Sequence, residues 1–172
     1  ENFLYSIASS WIYVNFYWVS GNHDRISKNR DGDKARLWGL VIYELIKRWL
    51  SKYNKYIKIN ILREYITTIN IQWVNYILAH WDVARIPSRS ITDIAWKHWD
   101  NTSLHNVIMH WHLHTINIKE EKGITKIGLP GLAGKDEYAT KELDLHSEPG
   151  YVELTHNRFD TIDINIKRLP ND

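Results

Sequence analysis

The chain has 172 residues, 44% of them hydrophobic and 24% charged, with a formal net charge of +2. This excludes a disordered polymer, gives no charge argument for a polyanion partner, and suits one domain with a sizeable core. Cysteine is absent, which excludes disulfides and thiolate metal sites. Any metal must be held by His, Asn, Asp or Glu, and a reducing, cytoplasmic setting is expected.

In chain order, Asn2 to Ser9 reads as the end of a helix with Phe3, Leu4 and Ile7 on one face. It lacks the basic leading segment of a signal peptide, and no apolar run is long enough to span a bilayer, so no membrane partner is expected. Ile12 to Val19 is an apolar, aromatic strand that ends at Ser20-Gly21 and releases Asn22-His23-Asp24-Arg25. A polar segment follows and closes in Asp-Gly-Asp, where Asp31 or Asp33 caps the next helix. That helix is expected from Lys34 to Tyr53. Trp38, Val41, Leu45, Trp49 and Leu50 recur at helical spacing, joined by Ile42 and Ile46, and are expected to face the core. Lys47, Arg48, Lys52, Lys55 and Lys58 form a basic cluster, read as a solvated face, with a nucleic acid backbone as the alternative.

Short strands follow. Tyr56–Leu62 alternates apolar and polar residues, Tyr65–Ile71 is a second, and Trp73–Ala79 is a more apolar, central one that ends at His80-Trp81-Asp82. Pro87 breaks the chain, and Ser88 or Ser90 opens a helix reaching about Trp99. Asn106–Met109 is another apolar strand, ending at His110-Trp111-His112-Leu113-His114. Thr115–Lys119 and Ile124–Leu129 are expected to form a hairpin around Lys122-Gly123, and Tyr151–His156 and Asp160–Leu169 a final hairpin turning at Asn157-Arg158.

Chemistry concentrates where strands end. Asn22, His23 and Asp24 offer an amide oxygen, an imidazole and a carboxylate just past a strand's carboxyl end, the edge where open α/β sheets bind ligands. His80 and the group His110, His112 and His114 follow two later strands. Nine histidines in the chain make two such placements unremarkable. Three, each directly after an apolar strand, fit one shared site for zinc, iron or manganese. His112 and His114 alternate along an extended segment and so face one way. His98, His105, His146 and His156 are expected at the surface or in loops.

The order Gly-Asn-His-Asp, then His-x-Asp after a strand, then x-His-x-His after a later strand resembles the calcineurin-like metallophosphoesterases. The Gly131-Leu132-Ala133-Gly134 loop and terminal hairpin are similar to that family's end. The resemblance runs from about Ile12 onward and implies an α/β fold, a β-sandwich flanked by helices, as one partial domain over residues 1–172. It implies metal-dependent hydrolysis of a phosphomonoester or phosphodiester, a nuclease role included, with two divalent ions (Mn, Fe or Zn). By position, Asn22, His80 and His112 would ligate one ion and His114 the other. His23, oriented by Asp24, would protonate or stabilise the leaving oxygen, Arg25 would contact phosphate, and Asp82 would fix an imidazole's tautomer.

Two departures from the pattern carry expectations. The family's Asp-x-His and Gly-Asp-x-x-(Asp/His) motifs, upstream of Gly-Asn-His-Asp, are not in this chain, so it is expected to be the family's C-terminal part and inactive by itself. Trp81 and Trp111 stand where the family has glycine, and some of the tryptophans are expected to come from a triplet the organism reads as glycine. Three other readings remain. One is a non-catalytic binding module with the same fold. Another is a tryptophan-rich nucleic-acid binder. The third, a sugar-binding Asn-His-Asp as in amylase-like glycosidases, requires a whole barrel and a carboxylate pair that 172 residues do not supply.

Overall fold

In the computed structural model, residues 6, 10, 13–19, 21, 38–53, 55–62, 64, 66–80, 91–111, 114–132, 148–156 and 162–170 are described. The chain divides into two compact units, Glu1–Tyr65 and Ile66–Asp172.

In the first unit, β1 (Val14–Val19) and β2 (Ile57–Leu62) pair in parallel, from Val14 opposite Ile57 to Val19 opposite Leu62. A parallel pair needs a long crossover, and here it contains helix α1 (Trp38–Trp49) and a 3-10 turn (Leu50–Tyr53). Leu50, Ile57 and Ile59 are buried together, with Val14, Phe16, Ile46 and Ile61 packed around them. Tyr43 lies against the rings of Phe16 and Trp18, at centroid distances of 5.7 and 4.8 Å.

The helix buries a different face from the one its apolar spacing predicts. Trp38, Val41, Ile42, Leu45 and Trp49 are all exposed, whereas Gly39, Tyr43, Ile46 and Leu50 point inward. The two stripes interleave on one helix. Only the one carrying Tyr43, Ile46 and Leu50 lies against the strands. Lys47, Arg48, Lys55 and Lys58 are exposed, as expected of a solvated basic face. A cleft of about 520 Å³ lies between the 3-10 turn and β2, lined by Lys47, Leu50, Lys58, Asn60 and Leu62 among others.

The second unit is a five-stranded mixed sheet in the order β3-β4-β5-β7-β6, with a separate hairpin of β8 and β9. The strands are β3 (Ile66–Ile71), β4 (Val74–His80), β5 (His105–Trp111), β6 (Asn117–Glu121), β7 (Ile124–Gly128), β8 (Gly150–His156) and β9 (Ile162–Arg168). β4, β5 and β7 run parallel, and β3 and β6 are antiparallel flanks. The crossover from β4 to β5 contains α2 (Ile91–Lys97), with Asp93 in its first turn and Lys97 in its last, each complementing the helix dipole.

Alternation along the interior strands loads both faces. Ile77, Ala79, Ile108 and Ile124 form one buried cluster with Ala95 of α2, and Ile66 and Trp99 pack against it. Val74, Tyr76, Val107 and Ile127 form the other, covered by Val152, Leu154, Ile162 and Ile164 of the β8–β9 hairpin. The unit is therefore a layered sandwich, helix on one side and hairpin on the other. Each fully buried Ile contributes on the order of 2 kcal/mol.

Several strand boundaries depart from expectation by a residue or two: Trp73, expected to open β4, falls in the turn before it, and two further departures have a register behind them. β5 continues through His110 and Trp111 because β4 supplies pairing partners up to His80 opposite Trp111. β6 starts at Asn117 rather than Thr115, because the tight turn at Lys122-Gly123 sets the register, Glu121 opposite Ile124 and Asn117 opposite Gly128. Among the described residues, no helix is long and apolar enough to cross a membrane.

Candidate functional site

The carboxyl ends of β4, β5 and β7 lie side by side, with His80, Trp111 and Gly128 as their last residues. Paired parallel strands of similar length end together, so the residues that close them, His80, His110 and Trp111 among them, share one edge of the sheet. His80 is 4% exposed and shares the hairpin face of the sheet with Tyr76 and Leu78. The Trp111 indole stands nearly edge-on to its ring, at a centroid distance of 6.0 Å and an interplanar angle of 81°.

His110 occupies the opposite, helix-side face, one residue out of phase with Trp111. Its backbone oxygen accepts a hydrogen bond from Leu129 N at 2.8 Å. A Cβ added at Gly128 would lie 3.4 Å from its ring and 2.9 Å from Thr115 O, so a residue without a side chain is required there. Burial, and secondarily the Lys126 charge, holds the His110 imidazole below its ordinary pKa. Lys126 in turn pairs with Glu121 at 2.6 Å.

Of the residues to which the resemblance gives a role, only His80 and His114 are described. His80 closes β4 and is buried. His114 is exposed, beyond the end of β5, with φ of 54°. Asn22, His23, Asp24, Arg25, Asp82 and His112 lie outside the described residues, as do Trp81 and the turn at Asn157-Arg158. Among the described residues, no three His, Asp or Glu side chains converge as a metal would require. Imidazole is the right donor for zinc, iron or manganese, and the burial of His80 fits an inner ligand.

Two features were not anticipated. His156, expected at the surface, is half-buried in β8. Its ring lies 5.8 Å from that of Tyr76, and its Nδ1 is buried with no hydrogen bond. Burial pushes the Tyr76 hydroxyl up to about 12. At the amino ends of the same strands, Asn75 and Asn106 are buried opposite one another, and Asn75 Nδ2 donates to Asn106 Oδ1 at 2.7 Å and to His98 O at 2.8 Å. Asn106 Oδ1 also accepts from Asp100 N, and its Nδ2 donates to Asp100 O. An asparagine at the matching second position of two apolar strands was the available signal.

No protein-family model and no curated protein matches the chain. Solved structures do. A double mutant of Vps29 from Entamoeba histolytica superposes with a TM-score of 0.50 at 13% identity, over 99% of this chain and 89% of that one. A conserved Streptococcus pneumoniae protein described as a predicted phosphoesterase gives 0.47 at 10% identity, over 88% of each chain. The zinc complex of wild-type Entamoeba histolytica Vps29 gives 0.44 at 11%, over 88% of this chain and 98% of that one. At such identities the likeness is one of fold. The chain has the mixed α/β metallophosphoesterase-like fold, as the motif order implied.

Proposed function

We propose that this chain belongs to a calcineurin-like metallophosphoesterase that hydrolyses phosphate esters with two divalent ions. The observation that carries the reading is the position of His80, buried at the carboxyl end of an interior parallel strand in that fold. The edge beside it is where β5 releases the segment bearing His112 and His114. In this reading Asn22, His80, His112 and His114 hold the metals, and His23, with Asp24 behind it, handles the leaving oxygen's proton. Arg25 meets the phosphate, and Asp82 orients an imidazole. The ions would neutralise the ester's charge and lower the pKa of the attacking water. A cytoplasmic setting, a nucleic acid among the substrates and a single domain belong to the same proposal.

The test is metal binding by the chain itself. Manganese or zinc titrated calorimetrically into the protein is expected to bind, and His80→Ala to weaken binding by roughly ten- to a hundredfold. Circular dichroism establishes that the variant is folded. Binding that is unchanged by His80→Ala overturns the assignment.

One observation favours a second reading, a non-catalytic module with the same fold. The Trp111 indole stands at the His80 ring, on ground a metal and its substrate would need. That reading expects no metal uptake and no turnover of a nitrophenyl phosphodiester with manganese.

A further inference from the structure

Two hairpins of the second unit make the same turn. β3 and β4 are joined by two residues, Gln72 and Trp73, with φ of 47° and 68°. β6 and β7 are joined by two residues, Lys122 and Gly123, with φ of 53° and 76°. Positive φ at both central positions is the signature of the type I′ turn, which matches the twist of the flanking strands and strongly prefers glycine at its second position. Lys122-Gly123 obeys that chemistry. Gln72-Trp73 places the bulkiest side chain where the backbone is left-handed, which L residues occupy at a cost.

Among the described residues, no ring contact or side-chain hydrogen bond is seen that would hold the indole there. Trp73 is 50% exposed, and the hydrogen bond that fixes its position uses its backbone oxygen, which accepts from Leu104 N at 2.8 Å. Composition leans the same way. The chain has nine tryptophans and eight glycines, whereas glycine at its usual frequency would supply about twelve.

We propose that residue 73 is glycine in the protein as its organism makes it, its triplet being one that this organism reads as glycine. Tryptophans with a packing role, such as Trp18 in contact with Tyr43, remain tryptophan. The turn geometry at residue 73 is independent of the phosphoesterase reading, so either can fail alone.

Peptide mass spectrometry of the protein isolated from its organism decides the matter. Glycine is expected at 73, and tryptophan there overturns the proposal. The structural premise is tested on the recombinant chain. Trp73→Gly is expected to raise the folded-to-unfolded ratio about tenfold. Trp96→Gly removes a similarly exposed indole (45%) from the last turn of α2, where it stacks on Trp99 at 4.6 Å, and is expected to lower that ratio. No gain from Trp73→Gly also overturns the proposal.

Discussion

At their amino ends β4 and β5 are tied to one another and to the α2–β5 connection by amide hydrogen bonds; at their carboxyl ends the same two strands carry imidazoles and an indole. The amino end is closed chemistry. Asn75 and Asn106, 3% and 2% exposed, use their amide groups on each other and on the backbone of His98 and Asp100. The Asp100 carboxylate accepts from Thr102 N, Thr102 Oγ1, Ser103 Oγ and Asn70 Nδ2. Such a network fixes a loop and a strand register. The carboxyl end carries imidazoles, a side chain whose nitrogens are able to bind a proton or a metal. The difference teaches that burial of polar groups is not by itself a mark of function: both ends bury them, amides at one and imidazoles at the other, and the two differ in the chemistry of the groups.

Asn106→Ala breaks the closed end and is expected to have the largest effect. It removes an acceptor shared by Asn75 Nδ2 and Asp100 N and a donor to Asp100 O. Stranding these buried groups costs roughly 2–4 kcal/mol, read as a lower urea midpoint with an unchanged slope. At the other end, His114→Ala truncates an exposed side chain and is expected to change stability by less than about 0.5 kcal/mol. Equal costs at the two ends would remove the contrast.

Between the two ends lies Tyr76, 7% exposed under the β8–β9 hairpin. Burial raises its pKa from 10.0 to about 12. The unfolded chain therefore ionises first. The contribution of the neutral, buried phenol is complete below pH 10 and is lost as pH rises from 10 to 12, at most about 3 kcal/mol. Tyr76→Phe is expected to flatten that alkaline limb in urea titrations at successive pH values. An unchanged limb would mean that the hairpin leaves the phenol in water.

Much of this was legible from sequence, for identifiable reasons. Strand alternation and short apolar runs located β2 to β5, and Lys122-Gly123 announced its own turn. The edge bearing His80 followed from apolar runs that stop at histidine. The helix face was misread because α1 carries two apolar stripes, and periodicity alone does not say which one meets a neighbour. The turn at Gln72-Trp73 was not legible because neither residue is a turn former. The Asn75–Asn106 pairing needs the parallel register, which brings positions 31 residues apart together.

Asp100 gives the smallest of these effects and the sharpest view of the closed end. Hydrogen bonds from the Thr102 hydroxyl, then from Ser103 and the Thr102 backbone, lower its pKa from 3.8 to about 2. The folded chain thus holds the carboxylate ionised where the unfolded chain has already bound a proton. The resulting stabilisation is complete above pH 4 and disappears as pH falls from 4 to 2. The group is at the surface, so its share is small and screened by salt. Asp100→Asn keeps an acceptor oxygen for Thr102 N but abolishes the titration, and the acid limb of stability is expected to become shallower over that interval while stability at neutral pH falls slightly. Because Asp100 also presents its backbone oxygen and nitrogen to Asn106, combining Asp100→Asn with Asn106→Ala should cost less than the two single changes added together. Strict additivity would mean that the carboxylate and the buried amides act as separate devices rather than one clasp at the amino end of the strands.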